Sequence, residues 1–135
     1  MDVIALRKGS GKISGEVRLN GFPQEDISFR RCSGYVEQFD VQSPELTVRE
    51  TIRFSAKLRL DKSSPVYDTP HGLDRHIDSI IKTLELTKEV DMLVGSEEEG
   101  GLTFEQKKRV SIAVEVAASP SIVFCELTTI RRFAV

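Results

Sequence analysis

Apolar residues recur at helical spacing in three stretches of the chain, at positions 48–58, 73–84 and 110–117. Residues three and four positions apart share one face of a helix, so each stretch is predicted to be an amphipathic helix. The first of them is apolar over only part of its face. Residues 61–72, which are rich in Ser, Pro, Asp and Thr, predict a loop, and residues 1–7 predict the tail of a helix.

Three other stretches have the pattern of β-strands. Apolar and polar residues alternate over positions 12–19 and lead into Asn20 and Gly21, which predicts a strand followed by a tight turn. Positions 33–40 predict a short strand that runs into a polar loop. Positions 121–125 predict a short apolar strand of the fully buried type. Helices and strands together predict an α/β domain.

Composition narrows the possible functions. The chain has 135 residues, 39% hydrophobic and 30% charged, with a formal net charge of −2, which fits one globular domain or part of one. This charge gives no general attraction to nucleic acid, and no long apolar tract predicts a membrane span. Cys32 and Cys125 lack metal-ligand spacing and are predicted to be buried, reduced thiols. His71 and His76 are predicted to be solvated rather than metal-binding.

The third helix has the most informative start. Two glycines at positions 100 and 101 precede Thr103, which forms a capping box with Gln106; Thr47 and Glu50 form a second one before the first helix. The first N–H groups of a helix lack internal partners and lie at the positive end of its dipole, so Thr103 and nearby amides are able to hold a phosphate. From spacing alone, an ordinary capped helix is the favoured interpretation.

A phosphate-binding loop of the Walker A type is not present. Residues 9–12 read Gly-Ser-Gly-Lys, but the pattern G-x-x-x-x-G-K-[ST] requires glycine where the chain has Leu6 and a hydroxyl where it has Ile13. The motif therefore fails at two positions.

Residues 101–109 resemble the signature motif of ATP-binding cassette (ABC) proteins, in the G-type, pleiotropic-drug-resistance variant. The family pattern is L-S-G-G-Q: Leu102 and Gln106 agree with it, Thr103 replaces the serine, and Phe104 and Glu105 replace the two glycines. Residues 12–21 resemble the hairpin of the family's antiparallel subdomain, and residues 35–51 resemble its Q-loop region. The three motifs occur in the family's order.

The resemblance implies a partial P-loop NTPase-type cassette. Residues 1–40 would form a β-rich segment with the Q-loop strand, residues 41–118 a helical subdomain with the signature helix, and residues 119–135 a degraded Walker B strand with a divergent tail. We expect the Walker A region to lie upstream of Met1, so that residues 1–135 form a single incomplete domain from a truncated or incorrectly assembled gene product.

The resemblance also implies ATP and Mg²⁺ as cofactors. Gln38 takes the position of the Q-loop glutamine, which links the nucleotide's metal and water to the helical subdomain. The signature segment would contact ATP in trans, through the five consecutive residues Leu102, Thr103, Phe104, Glu105 and Gln106. Glu126 takes the Walker B aspartate position in an ungapped alignment, and the catalytic glutamate position if one residue is deleted; either alignment leaves one carboxylate missing.

The resemblance therefore implies part of the ATP-hydrolysing domain of an exporter, such as the second cassette of a full-size drug-resistance pump. Its partners would be a second cassette and transmembrane domains, at the cytosolic face of a membrane; the isolated chain would be cytoplasmic. Without the phosphate loop and its lysine, the chain alone is expected not to hydrolyse ATP. The alternatives are a non-catalytic remnant that acts as an interaction module on a partner cassette, and an unrelated small α/β domain.

Overall fold

The computed structural model describes residues 2–37, 42–95 and 100–126. A short hairpin precedes four helices and a pair of parallel strands. In chain order the elements are β1 (Arg18–Leu19), β2 (Phe22–Pro23), α1 (Asp26–Cys32), β3 (Ser33–Val36), α2 (Val48–Arg59), a 3₁₀ turn (Pro65–Tyr67), α3 (Gly72–Thr83), α4 (Phe104–Val116) and β4 (Ile122–Cys125). The mixed α/β content predicted from the sequence is observed, although the segment 1–40, predicted to be β-rich, also contains α1.

The three predicted helices form the hydrophobic core. α2 packs on both α3 and α4, and the buried side chains include Ile52, Ile77, Leu86, Leu102 and Val110. Ile52, Ile77 and Val110 lie at the helical spacing that predicted them, whereas Leu86 and Leu102 lie outside the helices, after α3 and before α4. α2 differs in detail from the prediction, because Leu58 is exposed and Ala56 lies in the core instead.

β3 and β4 pair in parallel, and α1 and α4 pack against them. The register places Ser33 opposite Ile122 and Val36 opposite Cys125. The prediction that the strand at 121–125 is fully buried is wrong, because Val123 is exposed. Parallel strands are buried when helices cover both faces of the sheet, and the described helices leave this side chain uncovered.

The N-terminal predictions need two corrections. Residues 2–6 form turns rather than helix, but they keep the hydrogen bonds of a helix end: the Leu6 and Arg7 amides donate to the carbonyls of Val3 and Asp2 at 3.3 and 2.8 Å, and Leu6 has a left-handed φ of 56°. The strand predicted over 12–19 is limited to Arg18 and Leu19. The tight turn is confirmed: Asn20 and Gly21 have φ values of 51° and 85°, as a two-residue hairpin of the I′ type requires.

His71 precedes α3 and His76 lies within it, whereas Cys32 and Cys125 are the last residues of α1 and β4. His71 is exposed, as predicted, but half-buried His76 places Nε2 at 3.2 Å from the carbonyl oxygen of Ala117, so it is a packing residue rather than a solvated one. Cys32 and Cys125 are free but only partly buried, which corrects the prediction of buried thiols. Within the described ranges, no helix is long and apolar enough to cross a bilayer, and no cluster of three potential metal ligands occurs.

Candidate functional site

The start of α4 is held by the capping box that the sequence predicts. The side-chain oxygen of Thr103 accepts a hydrogen bond from the Gln106 amide at 3.3 Å, and Gln106 Oε1 accepts one from the Thr103 amide at 2.9 Å. The Lys107 amide donates to the Thr103 carbonyl at 2.9 Å, which is the first turn of the helix. Reciprocal bonds of this kind fix the helix start relative to the chain that enters it.

Leu102 anchors this start to the core. Its side chain is 0% exposed and belongs to the hydrophobic cluster of the three long helices. Burial of a leucine stabilises a fold by about 2 kcal/mol. The Leu102 side chain therefore holds the segment in place, and contact of this residue with ATP is open only to its backbone.

Exposure to solvent increases immediately after Leu102. Thr103 is half-buried, Glu105 is exposed, and Phe104 is 52% exposed. Within the described part of the chain, the amides of Phe104 and Glu105 donate to no acceptor, as expected for the first positions of a helix. These two amides, together with the Thr103 hydroxyl, form a donor group at the positive end of a 13-residue helix.

α2 begins with the same capping box, but its first amides are occupied. Thr47 and Glu50 make the reciprocal bonds, and the Val48 and Arg49 amides donate to the carbonyls of residues 92 and 90, both at 3.1 Å. The two helix starts thus share a sequence signal and differ in tertiary surroundings. Only the start of α4, of these two, has free amides to offer a ligand.

Two side chains at the start of α4 work against anion binding. Glycine at positions 104 and 105 would let a ligand approach the backbone closely, whereas Phe104 carries a ring that is 52% exposed. The Glu105 carboxylate stabilises the helix end through the dipole but repels a phosphate. The site is therefore a weaker phosphate cradle than a glycine-containing start would be.

Gln106 also contacts a residue that no pattern in the sequence identifies. Its Nε2 donates to Glu89 Oε1 at 2.9 Å. Glu89 lies 17 residues earlier, in the segment that follows α3, and no motif or spacing in the sequence marks it.

Glu126 lies at the edge of the sheet where β3 and β4 both end. Its amide donates to the Val36 carbonyl at 3.1 Å, and its side chain is exposed. The Tyr35 hydroxyl lies 2.9 Å from Asp2 Oδ1 and 3.5 Å from Glu126 Oε2. The hydrogen bond to Asp2, followed by burial and nearby carboxylates, raises the pKa of Tyr35.

Gln38 lies outside the described residues, but its neighbour Glu37 does not. Lys108, on the first turns of α4, donates a hydrogen bond to the Glu37 carbonyl. Val36, one residue earlier, pairs with Cys125 just before Glu126. The structure therefore brings the signature helix and the two strand ends to one edge of the sheet.

A second link between α4 and β3 is made by Glu115. Its carboxylate accepts hydrogen bonds from both terminal nitrogens of Arg59, at 2.7 and 2.8 Å, and from the Tyr35 amide at 3.1 Å. The hydrogen bonds with Glu115 raise the pKa of Arg59 despite its partial burial. A Cβ at Gly34 would lie 3.1 Å from Glu115 Oε2, so any residue other than glycine there would require the carboxylate to shift. We call Glu115, Arg59 and Tyr35 the Glu115 cluster.

Comparisons with a family model and with individual known proteins point to the same family. A family model described as ABC transporter matches residues 4–126. The chain is 44% identical over 129 residues to "ABC transporter G family member 38" of Oryza sativa subsp. japonica. It is 45% identical to two Arabidopsis thaliana proteins, "ABC transporter G family member 35" over 129 residues and "member 36" over 132 residues. Each alignment covers 96% of this chain but only 8% or 9% of the relative, so the chain spans less than a tenth of their length.

Proposed function

The chain belongs to the ABC transporter family, and we propose that it forms the part of an ATP-binding cassette that presents the signature segment to ATP. The observation that carries this proposal is the open start of α4. Its first two amides donate to no acceptor within the described part of the chain, while the equivalent amides of α2 are bonded to the backbone. A donor group at a helix start suits a phosphate.

The ATP that α4 contacts is held by another cassette. The sequence has no Walker A motif, because Leu6 and Ile13 occupy two of its required positions. A helix start supplies donors, but it lacks the backbone cradle and lysine that grip the β- and γ-phosphates. The proposed partner is therefore a second cassette, with ATP and Mg²⁺ at the interface.

The chain alone does not hydrolyse ATP in this proposal. Phosphoryl transfer requires a carboxylate-held Mg²⁺ and a group that orients water, in addition to the phosphate cradle. Glu126 is the only carboxylate that the sequence offers from the Walker B position, and it is exposed at the end of β4. Removal of groups of this kind lowers rates by orders of magnitude each.

The relatives support a wider role for the whole protein. They are named as ABC transporters of the G family, and we propose that this chain serves in the ATP-hydrolysing domain of an exporter of that type. It would lie at the cytosolic face of a membrane, where Gln38 and α2 would connect the nucleotide site to transmembrane domains. Its signature, which departs from L-S-G-G-Q, suits the second cassette of a full-size member.

The test uses the purified chain and a G-type nucleotide-binding domain loaded with AMP-PNP and Mg²⁺. We expect association with AMP-PNP and none with ADP, because the γ-phosphate is the ligand of α4. Thr103→Ala should weaken association about tenfold, the factor that 1.4 kcal/mol represents. Phosphate release from ATP by the chain alone should stay at background.

Thr47→Ala is the matched control, since it breaks the same kind of capping box at a helix start whose amides are occupied. Both variants should lose about 1 kcal/mol of stability, and only Thr103→Ala should lose association. Association that is equal with ADP would contradict the proposal and favour an interaction module that ignores the nucleotide.

A further inference from the structure

We propose that Glu89 is a positioning residue for the signature segment. It acts through Gln106, and it sets the orientation of the capping box that leaves the amides of α4 open. This inference rests on the proposed function, because positioning matters only if the start of α4 meets a ligand.

The first step concerns the side-chain amide of Gln106. Its oxygen accepts from the Thr103 amide at 2.9 Å, and its nitrogen donates to Glu89 Oε1 at 2.9 Å. With both ends engaged, the amide has one favourable orientation. A flipped amide would place its NH₂ against the Thr103 N–H and its oxygen against the Glu89 carboxylate, and both contacts would be repulsive.

The second step concerns what holds Glu89. Its amide donates to the Leu86 carbonyl at 3.2 Å, and its carbonyl accepts from the Met92 amide at 2.9 Å. The carbonyls of Val90 and Met92, one and three residues later in the chain, accept hydrogen bonds from the first two amides of α2. Glu89 therefore stands in a turn that is bonded to the start of α2 and reaches across to the start of α4, so one short segment fixes both helix starts relative to each other.

The third step separates positioning from simple stabilisation. Glu89 Oε2 is buried and accepts no hydrogen bond from the described residues. A buried carboxylate oxygen without a partner destabilises a fold, which offsets what the bond to Gln106 contributes. The contribution of Glu89 is then the orientation of Gln106 rather than a large gain in stability.

The experiment compares two substitutions in the full chain, assayed for association with the AMP-PNP-loaded domain. Glu89→Ala removes the acceptor and should weaken association about tenfold, the factor of 1.4 kcal/mol. Glu89→Gln keeps an oxygen that accepts from Gln106, so association should remain within about twofold of the unmodified chain. The control Glu85→Ala removes an exposed carboxylate of the same segment, which lies 3.5 Å from Arg109, and should have no effect.

A second measurement does not need the partner. Hydrogen exchange at the Thr103 amide should accelerate about tenfold in Glu89→Ala, since Gln106 Oε1 no longer stays in place to accept it, and should be unchanged in Glu89→Gln. Equal losses of association in both variants would show that charge, not the hydrogen bond, is involved and would overturn the proposal.

The two hypotheses fail in different ways. If Thr103→Ala leaves association unchanged, the proposed function is wrong, whatever Glu89 does. If Thr103→Ala weakens association while Glu89→Ala changes neither association nor Thr103 exchange, only the positioning role is wrong. Should Glu89→Ala prevent folding, Glu89→Gln still decides: a loss of association in this near-isosteric variant would contradict the proposed role.

Discussion

Replacement of Glu115 by alanine should lower the free energy of unfolding by about 2–3 kcal/mol. The Glu115 side chain is 18% exposed and that of Arg59 is 38% exposed, so their ion pair is neither a surface pair nor a fully buried one. Surface pairs contribute about 0–1 kcal/mol, whereas loss of one partner from a buried pair costs about 3–5 kcal/mol.

The magnitude follows from what the substitution leaves behind. The Arg59 guanidinium is exposed enough to be solvated by water once Glu115 is removed. The loss of the ion pair should therefore cost about 1 kcal/mol, near the value for surface pairs. The Tyr35 amide loses its acceptor as well, at a cost of about 1–2 kcal/mol for a half-buried donor. The two costs together give the loss of unfolding free energy that we expect for Glu115→Ala.

Urea unfolding followed by circular dichroism measures this difference. Asp26→Ala is the matched control: Asp26 pairs with Arg30 along one helix face, both side chains are 62% exposed, and the expected loss is below about 0.5 kcal/mol. A double-mutant cycle of Glu115 and Arg59 should give a coupling of about 1 kcal/mol. If Glu115→Ala costs no more than Asp26→Ala, the cluster does not hold α4 against β3 and the reasoning is refuted.

Three further predictions concern α2 and the start of α4. Leu102→Ala should cost about 2–5 kcal/mol in urea unfolding and exposed Leu58→Ala within about 0.5 kcal/mol, so similar losses would contradict the anchor role of Leu102. The backbone and side-chain hydrogen bonds from Thr47 lower the pKa of Glu50. The contribution of Glu50 to stability is therefore present at neutral pH and is lost as the pH falls through that lowered pKa. In an NMR titration, the midpoint of Glu50 should lie below the usual range for glutamate and should rise partway in Thr47→Ala. Phe104→Gly should tighten AMP-PNP-dependent association about threefold or more, because the backbone becomes accessible, and unchanged or weaker association would count against crowding by the ring.

The parts of the fold that could be predicted from sequence are those set by neighbours in the chain. Capping boxes join residues three positions apart, and the hairpin turn at Asn20 and Gly21 depends on two adjacent residues. Both features can therefore be predicted from the sequence alone. Burial of β4 was predicted wrongly because it depends on which helices cover the sheet. The exposure of Leu58 likewise depends on where α3 and α4 pack.

The candidate site likewise combines features set by neighbouring residues with features set by the packing of distant elements. The amides of α4 that have no acceptor belong to the segment that resembles the signature, but the residues that hold this segment belong to distant parts of the sequence. Glu89 reaches Gln106 across 17 positions, and Glu115 reaches Tyr35 across 80. Single carboxylates at such separations have no spacing that a sequence pattern can express, and only the packing of α3, α4 and β3 brings them to their donors.

The two capping boxes show why this matters for function. Thr47 and Thr103 give the same signal in the sequence and the same hydrogen bonds in the structure. The two helix starts differ in their contacts with residues 89–92. The carbonyls of Val90 and Met92 accept hydrogen bonds from the first amides of α2, and the Glu89 side chain accepts one from Gln106 at the start of α4. The same turn occupies the amides of α2 and holds Gln106 at the start of α4, so the proposed contact of α4 with a phosphate depends on this turn as much as on the signature residues. Changes at residues 89–92 should therefore alter nucleotide-dependent association without a change in the signature residues themselves.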